Sequence, residues 1–372
     1  MRILIFNWQD IRNPEAGGAE VHLHEIFSRI AAMGHDVTLY CSVFGGAPRE
    51  EMLDGVRVIR EGGRYLFNFR VPLAYLTRFR REKFDIVIDD MNKLPFFTPL
   101  FVREPLYIVT HHLFGRSIFL EAPPPVALYV HLMEKAGFGL CRSRKIPFIV
   151  GSPSTRAELT GMGIDGGLVT VINYCVDRNV HRRTGVQRSA GPLVGYFGRL
   201  KKYKVVEQFL EALAILKNEH PSLRAVVVGE GDHRRALEAH ARRLGLGGVV
   251  RFTGFVDTAT KVRLLQEVWF AVNTSSKEGW GLTVIEANAC GTPVIASDVP
   301  GLRDAVRDNE TGLLYNFGDV GDLATKIRLL LGDGALRERL GTEAFAWAST
   351  FDWDNAARET VRLLAGRAKG AE

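Results

Sequence analysis

The chain has 372 residues, 46% of them hydrophobic and 24% charged. That balance excludes a disordered, collagenous or low-complexity chain, and the length suits two domains that each bury a core. The net charge of +6 is unevenly spread: residues 1–190 hold 24 basic and 19 acidic side chains, so nearly all the excess lies in the first half and points to an anionic partner there.

In chain order, Arg2 to Phe6 is an apolar strand, followed by a glycine-containing loop through Gly18 and a helix from about Ala19 to Met33 that Gly34 closes. Strands follow at Val37 to Cys41, Val56 to Arg60, Ile86 to Asp89, Leu106 to Thr110, Ile146 to Val150 and Val169 to Ile172. A polar stretch from Arg178 to Pro192 is the linker. The pattern then restarts with strands at Leu193 to Phe197, Arg224 to Val228, Val249 to Thr253, Trp269 to Asn273, Pro293 to Ala296 and Gly312 to Tyr315. Helices fall between them, including Val205 to Asn218 and His233 to Leu244. β-Branched runs alternating with helices mark an α/β chain of two Rossmann-like, doubly wound domains. The division expected is 1–180, 181–350 and a C-terminal helix, 351–372, that packs back on the first domain. In such folds ligands bind at loops that follow the strands.

No run reaches the ~18 apolar residues of a membrane-spanning helix. Arg103 and Glu104 break the run from Phe96 to Thr110, and three prolines interrupt Ala122 to Met133. The N-terminus reads as a strand, not a signal peptide. Cys41, Cys141, Cys175 and Cys290 are dispersed, without a CxxC pair, and read as reduced thiols of a cytoplasmic protein with neither zinc nor disulfides.

The chemistry lies in loops after strands. Gly198-Arg199-Leu200-Lys201-Lys202-Tyr203-Lys204 joins a strand to a helix start, where free amides already favour anions; Arg199 and Lys204 add a guanidinium and an ammonium to make a diphosphate clamp. Lys277 to Glu286 reads KEGWGLTVIE and runs from loop into helix. Glu278 on the loop and Glu286 in the helix suit sugar hydroxyls, since each carboxylate accepts two hydrogen bonds. The amides near Gly281, Leu282, Thr283 and Val284 can hold a phosphate between them.

These elements, with the loop Gly17-Gly18-Ala19-Glu20, resemble the family-4 glycosyltransferases of the GT-B fold over nearly the whole chain. The resemblance implies that Arg199 and Lys204 stabilise the leaving nucleoside diphosphate, that Glu286 binds the ribose and that Glu278 lies near the donor sugar. Gly17 and Gly18 would approach the donor diphosphate across a cleft between the domains. Phe255 and Gly229-Glu230-Gly231 would line the donor site. A histidine at the end of a strand would stand near the sugar, and both His111 and His112 offer themselves; His112 is preferred. Asn173-Tyr174-Cys175-Val176-Asp177 resembles the family's NGVD element, with Tyr-Cys in place of the single glycine.

The implied reaction is retaining, front-face transfer from a nucleoside-diphosphate sugar such as a UDP- or GDP-sugar to a glycan, lipid-linked or small-molecule hydroxyl. Neither a metal nor a cofactor is expected, and Asp89-Asp90 is read as acceptor-side or structural. A GT-B-like sugar-nucleotide epimerase and a non-catalytic nucleotide-sugar-binding protein are the alternatives. Residues 64–83, RYLFNFRVPLAYLTRFRREK, carry six basic side chains and one acidic, with aromatic and aliphatic residues between them. Such a segment can lie on an anionic membrane surface, which makes the expected location cytoplasmic and peripheral to the inner face of the membrane. No nucleic-acid-binding motif is present.

Overall fold

The structure, a computed structural model, describes residues 1–63, 66–91, 94–115 and 117–368. Two units form. One comprises Met1–Tyr174 with Trp353–Glu372, the other Cys175–Asp352.

The first unit is built on an eight-stranded sheet of β1 (Arg2–Phe6), β2 (Asp36–Cys41), β3 (Glu50–Leu53), β4 (Val56–Arg60), β5 (Ile86–Asp90), β6 (Leu106–Thr110), β7 (Phe148–Val150) and β8 (Val169–Val171). The order is β3-β4-β2-β1-β5-β6-β7-β8. All pairs are parallel except β3 with β4. The β3–β4 hairpin turns on Asp54 and Gly55, both at positive φ, as a two-residue hairpin of the right twist requires. β3 is absent from the sequence reading because its four residues begin with two glutamates and show no apolar run.

The second unit holds an all-parallel six-stranded sheet of β9 (Leu193–Phe197), β10 (Arg224–Val228), β11 (Val250–Gly254), β12 (Phe270–Asn273), β13 (Val294–Ser297) and β14 (Gly312–Tyr315), in the order β11-β10-β9-β12-β13-β14. Apart from the edge strand β11, where Arg251 is exposed, its strands are largely buried, so they read as short apolar runs and not as alternation. In both sheets the strand order reverses beside the first strand: β1 lies between β2 and β5, and β9 between β10 and β12. Loops leaving the carboxyl ends of the strands there diverge to opposite sides and open a crevice for a ligand.

The segment singled out for its basic residues folds as a helix, Phe67–Ala74, that widens to a π turn over Tyr75–Phe79 just after Pro72 and closes with Arg80–Glu82. Proline removes a backbone donor inside a helix, and a local change of winding is a usual response. Phe67, Val71, Tyr75 and Phe79 face inward and pack with Phe6 and Tyr40. Arg64 and Tyr65 lie outside the described residues.

The last helix, Trp353–Ala368, belongs to the first unit. Ala357 and Leu364 are buried, the Arg29 guanidinium donates to Asp354 at 2.7 Å, and the Tyr107 hydroxyl donates to the Leu363 carbonyl at 3.3 Å. Leu364→Ala is expected to lower stability by about 2–5 kcal/mol, the usual cost of emptying a buried leucine site. The check is the denaturant midpoint of the transition that a fluorescence probe on the first unit reports.

Candidate functional site

In the second unit, the loops after β9 and β12 leave adjacent strands at the reversal point. Lys204 ends a single 3-10 turn, Lys202–Lys204, and its ammonium pairs with the Glu278 carboxylate. The pair is nearly enclosed, with side chains 13% and 16% exposed. Burial works against the Lys204 charge, but Glu278 outweighs it and holds the ammonium well above the ordinary lysine value. Further bonds lace the two loops: the Thr274 hydroxyl donates to the Lys204 carbonyl at 2.9 Å, and the Ser276 amide to the Tyr203 carbonyl at 2.9 Å. The Ser275 hydroxyl donates at 2.8 Å to Oε1 of Glu278, the same oxygen that the Lys204 ammonium meets, and so helps to fix the carboxylate. Val205, next to Lys204, has a left-handed backbone at φ 45°, a costly conformation for a β-branched residue and one that clusters where function over-determines the geometry. Arg199 is exposed on the same loop.

Gly229 lets the loop after β10 press on this one: a Cβ there would lie 1.9 Å from the Gly198 carbonyl oxygen. Glu230 pairs instead with Arg234 at 2.6 Å. Gly281, at φ +95°, turns the chain into the helix Leu282–Ala289. The Val284 amide donates back to the Gly281 carbonyl at 2.8 Å, so it is not open to a phosphate as the sequence suggested. The helix start offers the amides of Leu282 and Thr283. Within the loop between the two glutamates, Trp280 is buried edge-on against Phe351, with ring centroids 5.1 Å apart, and anchors the turn.

Glu286 is buried in the second turn of that helix and brings in two residues that no local pattern flagged. The Lys261 ammonium donates to one carboxylate oxygen at 2.5 Å, and His181 Nε2 lies 3.6 Å from the other. Burial holds His181 below the ordinary histidine value, and Glu286 offsets this in part. Phe255, just past β11, is 83% exposed and therefore not a core residue.

In the first unit, Gly17 and Gly18 open the helix Gly18–Ala32. The Gly17 amide donates to the Glu20 carboxylate at 2.7 Å, so the glutamate of this loop caps its own helix. A Cβ at Gly18 would meet nothing within 4 Å, which leaves the backbone open to approach. The preceding loop is held by Asp10, whose carboxylate accepts from the buried Arg60 guanidinium at 2.6 Å and from the Arg12 amide at 2.8 Å. Of the two histidines, His111 is the one set into a network. Its Nε2 bonds Asp90 at 3.0 Å, its Nδ1 bonds the Tyr174 hydroxyl, and its ring meets that of His22 edge-on. Burial lowers the His111 pKa, and Asp90 more than reverses this and raises it. His112 is half-buried, its ring centroid 4.6 Å from that of Phe114. Among the described residues, no three His, Cys, Asp or Glu side chains converge as a metal-ligand set.

A model of the glycosyl transferases group 1 matches residues 177–347, and a model of glycosyltransferase family 4 matches residues 16–180. The chain is similar to the glycogen synthase of Mycobacterium tuberculosis, with 26% identity over 401 residues, spanning 100% of this chain and 96% of that protein. Among solved structures it resembles sucrose-phosphate synthase from Thermosynechococcus elongatus, at a TM-score of 0.83 and 23% identity over 98% of both chains. It also resembles Anabaena HepE in complex with UDP-glucose, at a TM-score of 0.78 and 21% identity over 98% of this chain and 100% of that one. The fold of two α/β domains on largely parallel sheets is the one these solved structures share.

One carboxyl near the carboxyl end of β5 keeps its proton well above the ordinary carboxylate range. Asp89 accepts from the Thr98 hydroxyl at 2.6 Å and is otherwise enclosed; burial, reinforced by Asp90 beside it, pushes its pKa up to about 7. The folded state therefore holds a proton that the unfolded chain releases near 4, and this stabilisation is full below about 4 and lost as pH rises to 7. Asp89→Asn is expected to remove that decline. Unfolding midpoints of parent and variant between pH 4 and 8 check it: the variant gains on the parent from pH 4 to about 7, and the difference levels off above that.

Proposed function

Since the chain belongs to the group 1 glycosyltransferases of family 4, we propose that it moves a sugar from a UDP- or GDP-sugar to a hydroxyl acceptor, with retention of anomeric configuration and without a metal. The observation that carries this reading is the Lys204–Glu278 pair, on the two loops that also carry the exposed Arg199 and the helix start at Leu282 and Thr283, where the strand order reverses. A diphosphate placed there meets the Arg199 guanidinium, the Lys204 ammonium and the Leu282 and Thr283 amides. These stabilise the charge that grows on the leaving phosphate as the bond from the anomeric carbon to the phosphate oxygen breaks. The acceptor oxygen bonds to the anomeric carbon on the same face, and its proton passes to the departing phosphate oxygen. Glu286 takes the ribose hydroxyls through the carboxylate oxygen that faces His181, and the exposed Phe255 ring gives a surface for the base. The UDP-glucose held by HepE supports the donor class.

Product assays over a panel of donors test this. Lys204→Met is expected to lower kcat by about 100-fold or more, since one preorganised charge-stabilising donor is worth that much. Glu286→Gln raises the donor KM with a smaller effect on kcat. Turnover is unchanged by EDTA. Full activity in both variants would overturn the assignment, and activity lost to EDTA and restored by a divalent ion would overturn the metal-free reading.

The acceptor side is read as a membrane-facing surface. Leu66, Phe69, Leu73 and Leu76 follow a helical spacing and are 64%, 73%, 49% and 49% exposed, while Arg70, Arg80, Arg81 and Lys83 are exposed on the same segment. Apolar anchors flanked by cations suit an anionic lipid surface. Arg78 is spent elsewhere, on Glu82 at 3.2 Å. No helix among the described residues is long and apolar enough to cross a membrane, so the reading is one of lying on the surface. The chain is expected to float with phosphatidylglycerol vesicles at low salt, and Phe69→Ser with Leu73→Ser to abolish this. A parent protein that stays at the bottom of the gradient sinks the idea.

A further inference from the structure

The described residues hold a cavity of about 950 Å³ that neither the donor site nor the apolar surface uses. It belongs to the first unit and opens at the amino-terminal edge of its sheet, beside Pro105 and Leu106 at the start of β6 and Ile146 before β7. His111, by contrast, follows the carboxyl end of β6. The cavity is thus at the edge of the sheet opposite the loops that carry the candidate site.

Its charge is one-sided. Four guanidiniums line it, from Arg103, Arg144, Arg362 and Arg367, against one carboxylate, Glu104. That carboxylate already accepts the Tyr75 hydroxyl at 2.5 Å. Many of the described arginines are matched to carboxylates or carbonyl oxygens, as Arg29, Arg57, Arg60 and Arg328 are. Among the described residues, the side chains of Arg103, Arg144 and Arg362 are matched to neither, and Arg367 has only the Tyr107 ring, 5.8 Å from its guanidinium carbon. Like charges gathered around one cavity repel one another, and folding gains nothing from placing them together. The planar guanidinium fork matches phosphate oxygens in pairs, so such a cluster suits a phosphorylated ligand. The apolar part of the lining, with Val102, Leu106 and Leu363, leaves room for the body that carries the phosphate.

We propose that this cavity is a second, non-donor binding site for a phosphomonoester or diphosphate group, either of a small soluble molecule or of a lipid headgroup. Arg362 and Arg367 lie on the last helix, Trp353–Ala368, whereas Arg103 precedes β6 and Arg144 follows the helix Pro124–Ser143. A phosphate held by all of them pins the returning helix to the sheet it covers.

The test uses the full chain with Arg199→Ala and Lys204→Ala, which disables the donor clamp, and titrates it calorimetrically with inorganic pyrophosphate and with dihexanoyl phosphatidic acid below its micelle concentration. One binding step is expected to remain for at least one of the two probes. Adding Arg144→Glu and Arg362→Glu is expected to weaken that step at least tenfold. Adding Arg144→Gln and Arg362→Gln, which keeps bulk and removes charge, gives an intermediate loss. Binding of pyrophosphate alone assigns a soluble ligand, and tighter binding of the lipid probe assigns a headgroup. If neither probe binds, or if charge reversal leaves the remaining step unchanged, the proposal is wrong. On the otherwise unaltered chain, Arg144→Glu with Arg362→Glu is expected to leave UDP binding in place, so failure here is separable from failure of the donor assignment.

Discussion

The enclosed ion pair between Lys204 and Glu278 is the constraint around which the second unit's site is arranged. An ammonium taken out of water is stable as a charge only with a carboxylate held against it, and the carboxylate is in turn fixed by the Ser275 hydroxyl. The loops that supply the two ions come from β9 and β12, neighbours at the strand reversal. Joining them fixes the height at which the Gly281 turn starts its helix, and so the direction of the Leu282 and Thr283 amides. The left-handed backbone at Val205 follows from the same demand: the chain must end a 3-10 turn with Lys204 pointing at Glu278 and begin an α-helix at Val206 without a spacer.

The first unit solves a similar problem with a different pair. Arg60 is fully buried at the end of β4, and Asp10 in the loop after β1 meets it at 2.6 Å. The pair is thus a brace from one strand to the loop that leads into Gly17. Both units use a buried, hydrogen-bonded charge pair to hold a loop at the carboxyl edge of a sheet, where a run of apolar contacts would leave the backbone polar groups unsatisfied.

The fold was legible because buried parallel strands announce themselves as short apolar runs bounded by turn residues. Leu193–Phe197, Arg224–Val228 and Gly312–Tyr315 begin and end where the sequence reading put them. β3 was not, since an edge strand rich in glutamate has no apolar signature. Within the site, Arg199, Lys204, Glu278 and Glu286 were visible because they sit at short spacings within two continuous segments. Lys261, His181 and Asp90 were invisible for the opposite reason: each meets its partner across 21 to 105 residues of chain, and only the tertiary fold brings them together. The choice between His111 and His112 turned on strand direction, since adjacent residues leave a strand on opposite faces. The sequence reading leaned to His112, whereas the geometry puts His111 into the network with Asp90.

The return of Trp353–Ala368 to the first unit makes the second unit an insertion in the first. On the ribosome, Cys175–Asp352 emerges as a continuous stretch and holds every strand of its own sheet, so it can close its core during synthesis. The first unit has all its strands by residue 171 yet waits for the last helix to cover the surface around Arg29 and Tyr107. For the time it takes to make nearly half the chain, at about 5–20 residues per second, that surface stands uncovered. The helix that completes the first unit is synthesised only after the whole of the second.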